Sequence, residues 1–169
     1  ENRDQGVKMY SVKDSIEGWA DAAKILISSY CQHPSLEKEF FKYQVKFDFS
    51  QIRPKGALIT GGFKAPGHEG LKQSLERIEE LLNNNLGVFK SIVAYDIFMH
   101  LSDAVLSGGV RRSAMNIIID ENDEELLNAK IGNWRQTHPW RARSNNSVGL
   151  LRNNFSKETF ERFLSLNEG

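Results

Sequence analysis

Three groups of residues in this 169-residue chain have types and spacing that could serve contact with a phosphorylated ligand. The first is "LSDAVLSGGVRRSAM". Here Gly108 and Gly109 would let backbone amides approach a ligand closely, and Arg111 and Arg112 could pair with phosphate oxygens or stack on a base. The same residues also read as a helix C-cap at Gly108 followed by two solvated arginines, and the pattern leaves both readings open. The second is "RPKGALITGG", with Arg53, Lys55 and Lys64 in a glycine-rich stretch that could gather around a polyphosphate or lie in solvent. The third is Asp14, either a helix cap or an acceptor for a ribose hydroxyl, two roles that a two-oxygen side chain can combine.

Other candidates are plainer. Trp134 and Trp140, with Arg135, Arg141 and Arg143, make a segment that could stack and bind phosphate or simply pack. "SNNS", residues 144 to 147, supplies side chains that both donate and accept hydrogen bonds, as substrate contacts and turns both do. Cys31 is the chain's one cysteine, so no disulfide can form within it, and no neighbouring cation activates its thiol. The four histidines are scattered without metal-ligand spacing, and no metal site is expected.

The elements that must position these groups follow from periodicity and punctuation. "DSIEGWADAAKILISSYC" places Trp19, Ala23, Leu26, Ile27 and Tyr30 on one helical face, and Asp14 with Glu17 reads as the start of that helix. "QVKFDF" alternates as a half-buried strand does. The stretch from 50 to 70, with two prolines and five glycines, is expected to lack regular structure. "GLKQSLERIEELLNNN" is a helix with Leu71, Leu75, Ile78 and Leu82 inward; a second, 91–106, turns Val93, Ile97, Leu101, Ala104 and Val105 inward. A strand over 114–119, a short acidic-starting helix, a polar loop, a short strand "VGLL" and a last helix capped by Ser156 complete the chain. This alternation favours an α/β fold.

Composition excludes several classes. With 22 basic and 22 acidic residues the formal charge is zero, so a general nucleic-acid binder is not expected. No apolar run reaches the roughly 20 residues of a membrane span, and the charged N-terminus does not resemble a signal peptide, which points to the cytoplasm.

Taken in order, "DSIEGWADA", "FDFSQIRPKGALITGGFKAPG", "LSDAVLSGGVRRSAM", "NAKIGNW" and "RARSNNSV" resemble the large catalytic subunit of ribonucleotide reductases, most nearly the adenosylcobalamin-dependent class II branch. The likeness runs from about residue 10 to about residue 150, and "GGVRRSA" with "SNNSV" is its most specific part. It implies a portion of a ten-stranded α/β barrel in an enzyme that replaces the ribonucleotide 2′-hydroxyl with hydrogen by thiyl-radical chemistry for DNA synthesis. By this resemblance the chain is a single segment with an effector helix (14–31), an effector loop (50–69), a specificity loop (107–114) and a substrate-side loop (133–148). Asp14, Ser15, Arg53, Lys55 and Lys64 would bind a deoxynucleoside triphosphate effector. Gly108, Gly109, Arg111 and Arg112 would carry the specificity signal, and Ser144, Asn145 and Asn146 would lie near the ribonucleotide substrate.

The sequence departs from the family pattern at Pro66 and Gly70, where relatives often carry serine and proline. The family's Asn-x-Cys-x-Glu cluster does not occur in it, so no catalytic residue is assigned. The chain is therefore expected to be an internal piece of a reductase: a split-gene product, an interrupted portion or a degraded paralogue. Its implied partners are the rest of the polypeptide, adenosylcobalamin (with no binding residues identified here) and a thioredoxin-type reductant. The alternatives are a stand-alone nucleotide-binding module or relic without reductase activity, and a domain serving only protein interactions.

Overall fold

The computed structural model of the protein describes residues 2–104, 115–151 and 155–166. The chain divides into two compact units, one of Glu1–Phe89 with His100–Ser113 and the other of Lys90–Met99 with Ala114–Gly169. Among the described residues each contains one pair of parallel strands and helices beside it.

In the first unit, β1 (Val7–Ser11) leads into α1 (Ile16–Ser28), and the chain returns through a short 3-10 turn to β2 (Gln44–Asp48). β2 pairs parallel with β1 in the register Val7 to Gln44 through Ser11 to Asp48. This is a β-α-β unit, the arrangement parallel strands require because a tight turn cannot connect them. Sequence periodicity indicates α1 and β2 but misses β1, whose "VKMYS" is half exposed. Ala23, Leu26 and Tyr30 are buried as the helical pattern predicts, while Trp19 and Ile27 are half-buried. α2 (Glu69–Asn84) buries Leu71, Leu75, Ile78 and Leu82 and packs on α1.

One detail of α1 corrects the sequence reading. Its N-cap is Ser15 and not Asp14: Ser15 is extended (φ −152°, ψ 163°), and its Oγ accepts the Gly18 amide at 3.0 Å. Gly18 is required by a close approach, since a Cβ there would stand 2.5 Å from the Lys13 carbonyl oxygen. Asp14 is thereby left outside the helix, with its carboxylate available for another partner.

The stretch expected to be irregular is in fact folded on itself. Gly56 N donates to Ala65 O at 2.9 Å, Ala65 N to Ala57 O at 2.7 Å and Ile59 N to Phe63 O at 2.9 Å, with a bridge between Leu58 and Lys64. The result is a small hairpin-like loop. Its tip is a turn in which Gly61 takes φ +84°, a value a side chain would disfavour.

α3 (Ser91–Ala104) contributes residues to both units. Val93, Ile97 and Ala104 are buried as predicted, Leu101 is half-buried, and Val105 lies outside the described residues. In the second unit β3 (Met115–Asp120) pairs parallel with β4 (Ser144–Gly149), from Met115 with Ser144 to Asp120 with Gly149. Between them run α4 (Glu124–Leu127), α5 (Trp134–Thr137) and a 3-10 turn over Pro139–Arg143. The span 133–148, read from sequence as a polar loop, is thus helix, turn and strand. The strand expected at "VGLL" begins at Ser144, so "SNNS" lies inside β4. The polar run forms a strand because neighbouring groups satisfy its side chains, as described below. α6 (Lys157–Leu166) is capped as predicted, Thr159 N donating to Ser156 Oγ at 3.1 Å, and it buries Phe163 against Tyr95, Met99, Ile119 and Leu127.

Candidate functional sites

In the first unit the candidate residues collect at the carboxyl ends of β1 and β2, where ligands commonly bind in open α/β sheets. Asp14, just past β1, and Arg53, just past β2, form an ion pair at 2.5 Å between Oδ2 and Nε. Both are partly exposed, so the contact contributes little to stability, about 0–1 kcal/mol, and its charges remain accessible to a third group. Beside it, the last residues of the two strands are tied together. Asp48 accepts from Ser11 Oγ and from the Ser50 hydroxyl and amide, each at 3.0 Å. The amide and hydroxyl of Ser50, then the hydroxyl of Ser11, hold the Asp48 carboxyl below the usual aspartate range. Asp48, Ser11 and Ser50 carry no periodic signal and escape a sequence reading; only strand register brings them together.

Lys55 and Lys64 are both exposed, on the two hydrogen-bonded arms of the hairpin-like loop. Gly67 is buried against the start of one arm, where an added Cβ would lie 3.1 Å from the Lys55 amide nitrogen. The structure therefore joins Asp14 to Arg53 directly and folds Lys55 and Lys64 onto one loop. Ser15 contributes its side chain to the helix cap. Helix α1 presents its amino end here, where the macrodipole favours negative charge.

Gly108, Gly109, Arg111 and Arg112 lie outside the described residues. Cys31 is exposed; its Sγ donates to the Ile27 carbonyl at 3.5 Å, and burial of the sulfur pushes the thiol pKa up, away from a reactive thiolate.

In the second unit two adjacent α3 residues hold the 140–146 segment. Asp96 accepts from Arg141 Nε at 2.8 Å, Arg141 Nη2 at 2.7 Å and Trp140 Nε1 at 2.8 Å. Arg141 Nη1 donates to the Ala129 carbonyl at 2.9 Å. This bidentate pair is buried, so for Trp140 and Arg141 the packing alternative of their segment holds. Tyr95 Oη lies 3.0 Å from Ser144 Oγ and donates to Asn146 Oδ1 at 3.3 Å, while Ser144 Oγ donates to Asn146 Oδ1 at 2.9 Å. Burial raises the Tyr95 pKa, and its hydrogen bonds to Ser144 and Asn146 partly oppose that shift. Of the three substrate-side candidates, Ser144 and Asn146 thus turn into this network, and Asn145 stays exposed on the opposite face. Tyr95 and Asp96 sit within an apolar helical pattern and give no motif that sequence reading detects.

A cavity of about 580 Å³ lies between β4 and α6, lined by Lys130, Ser144 to Val148, Phe160, Phe163 and Leu164 among others. Lys130 Nζ donates to the Ser144 carbonyl at its edge.

No protein-family model matches the chain. Over 143 residues it is 35% identical to the adenosylcobalamin-dependent ribonucleoside-triphosphate reductase of Lactobacillus delbrueckii subsp. bulgaricus, covering 83% of this chain. The reductase of the same name from Levilactobacillus brevis is 32% identical over 146 residues, 85% of this chain. A crystal structure of a B12-dependent class II ribonucleotide reductase superimposes with a TM-score of 0.68 at 28% identity over 85% of this chain. This chain is homologous to part of the class II ribonucleotide reductases. It spans about a fifth of their length, 19% in each of these comparisons. The shared fold is a mixed α/β one.

The relatives depend by name on adenosylcobalamin. Among the described residues there is no group of three or more His, Cys, Asp or Glu placed to hold a metal ion. The one cavity described above has the size of sites for drug-sized ligands, about 300–1,000 Å³, whereas a corrin with its nucleotide tail is larger. None of the described residues is assigned to that cofactor. No helix among them is long and apolar enough to cross a membrane.

Proposed function

We propose that this chain is the effector-binding and specificity-setting portion of a ribonucleotide reductase, within a ten-stranded α/β barrel that converts ribonucleotides to 2′-deoxyribonucleotides in the cytoplasm. The observation that carries the proposal is the Asp14–Arg53 pair, which joins two segments 39 residues apart at the carboxyl ends of parallel strands. In this reading the effector is a deoxynucleoside triphosphate. Its phosphates compete with Asp14 for Arg53 and recruit Lys55 and Lys64; the released Asp14 carboxylate, beside the Ser15 cap, accepts a hydrogen bond from the sugar or base. The pair keeps the two charges neutralised until the ligand replaces one of them. Gly108, Gly109, Arg111 and Arg112 relay the effector's identity to the substrate base, and Ser144, Asn145 and Asn146 border the substrate.

The thiyl radical, the reducing cysteine pair and adenosylcobalamin belong in this scheme to the remainder of the reductase polypeptide, re-reduced by a thioredoxin-type protein. One cysteine cannot form a dithiol, and the Cys31 pKa is raised rather than lowered. A second reading is a nucleotide-binding module without reductase activity.

Calorimetry with the four deoxynucleoside triphosphates tests the site. Wild-type chain is expected to bind at least one, and Arg53→Gln to weaken it at least tenfold. No binding at millimolar ligand overturns both readings. Binding with no nucleotide reduction after mixing with the remaining parts of a class II enzyme selects the module.

A further inference from the structure

Parallel sheets are ordinarily covered on both faces and read as runs of Val, Ile and Leu. Among the described residues, the β3–β4 pair obeys this on one side only. Ile117, Ile119 and Val148 face the core, with Ser144 and Asn146 locked beside them by Tyr95. The opposite side carries Asn116, Ile118 and Asp120 from β3 and Asn145, Ser147 and Gly149 from β4, all exposed. One isoleucine among two asparagines, a serine, an aspartate and a glycine is not a surface made for a second apolar layer.

Strand register gathers three of these side chains. Asn116 stands directly opposite Asn145. Ser147, two residues further along β4 and therefore on the same face, donates from Oγ to Asn116 Oδ1 at 3.1 Å. That bond fixes the Asn116 amide with its oxygen toward Ser147 and makes its NH2 the group offered to a ligand. The carboxamide of Asn145 adds an acceptor and two donors, and the hydroxyl of Ser147 retains acceptor capacity. Ile118 sits between Asn116 and Asp120 and is 76% exposed, an apolar floor beside the polar groups.

We propose that Asn116, Asn145 and Ser147 form a neutral hydrogen-bonding patch for the ribose of a ribonucleotide, held in place by Tyr95 through Ser144 and Asn146 as positioning residues. The proposal rests on the reading of the chain as a reductase portion. The chemistry selects a sugar and not a phosphate: no cation is among the six residues of this face, and Asp120 at its end would repel an anion. A vicinal diol both donates and accepts twice, which matches paired carboxamides with a hydroxyl one rung further along the strands. A site built on hydrogen bonds to a hydroxyl also discriminates against the analogue that lacks it, because its own polar groups are left unpaired. Ribose is thereby distinguished from deoxyribose on this face, whereas the Asp14–Arg53 site is read as taking the deoxynucleotide.

The test is an NMR titration of the full chain, following the side-chain NH2 resonances of Asn116 and Asn145 with each of the four ribonucleosides and their 2′-deoxy counterparts. Phosphate-free probes keep the Arg53 site out of the measurement. At least one ribonucleoside is expected to shift both resonances saturably, its deoxy counterpart to bind at least fivefold more weakly, and Ser147→Ala to weaken the ribonucleoside at least threefold. Tyr95→Phe is expected to weaken it too while the Asn116 resonance stays where it is without ligand. Equal response to ribo- and deoxynucleosides, no saturable shift at millimolar ligand, or undiminished binding by Asn116→Ala overturns the patch. A parallel titration with deoxynucleoside triphosphates, read at the amides of 53–65, reports separately on the effector reading. Loss of the first response with the second intact rejects only the patch.

Discussion

The Asp14–Arg53 pair of the first unit and the Asp96–Arg141 pair of the second have the same chemistry and opposite surroundings. In the first, the side chains are 29% and 45% exposed and joined by one short contact. In the second they are 6% and 10% exposed, joined by two parallel bonds, with Trp140 and the Ala129 carbonyl satisfying further atoms. A solvated pair is exchangeable and suits a ligand site. A buried pair cannot be opened without stranding a charge and suits the holding of a neighbouring strand. The lesson is that an aspartate–arginine contact does not by itself reveal function; the water around it does.

Breaking the buried pair should have the largest effect. Asp96→Ala leaves Arg141 charged and unpaired in the core and is expected to destabilise the second unit by about 3–5 kcal/mol, read as a lower urea midpoint. Next comes Gly18→Ala in the first unit. Its Cβ would meet backbone at Lys13, which is not the flexible end of a side chain, and about 1–3 kcal/mol is expected from thermal unfolding. Arg53→Gln, by contrast, should change stability by less than about 1 kcal/mol while weakening nucleotide binding. An Arg53 substitution as costly as Asp96→Ala would abolish the contrast between the two pairs.

The smallest effect concerns pH. Burial first, then the nearby Arg141 charge, lowers the His138 pKa below its ordinary 6.5. The unfolded chain therefore takes up this proton before the folded one does. Above 6.5 His138 costs the fold nothing; as pH falls from 6.5 through the lowered folded value, stability declines, and below that value the loss is complete. His138→Gln should flatten this part of the stability–pH curve without altering the Asp14–Arg53 site.

Much of the helical framework is legible in the residues. α2 is the clearest case, since Leu71, Leu75, Ile78 and Leu82 recur at helical spacing and all are buried. β1 is not legible, because "VKMYS" has too little apolar alternation and gains its strand form by pairing with β2 more than thirty residues later. Asp14 looks like a cap because local pattern rewards it; Arg53, remote in sequence, takes its carboxylate, and Ser15 caps instead. "SNNS" looks like a turn because polar residues usually avoid half-buried strands, and Tyr95 makes this one an exception.

By itself the sequence determined the alternation of helices and strands, the helical core stripes, the neutral charge, the single cysteine and the order of segments shared with ribonucleotide reductases. Those properties are local or additive along the chain. Only the tertiary structure decided which aspartate stays solvated, which arginine is buried, and which side of β4 each polar residue faces. Those outcomes depend on strand register and on contacts between residues 30 to 50 positions apart, whose energies no local pattern records.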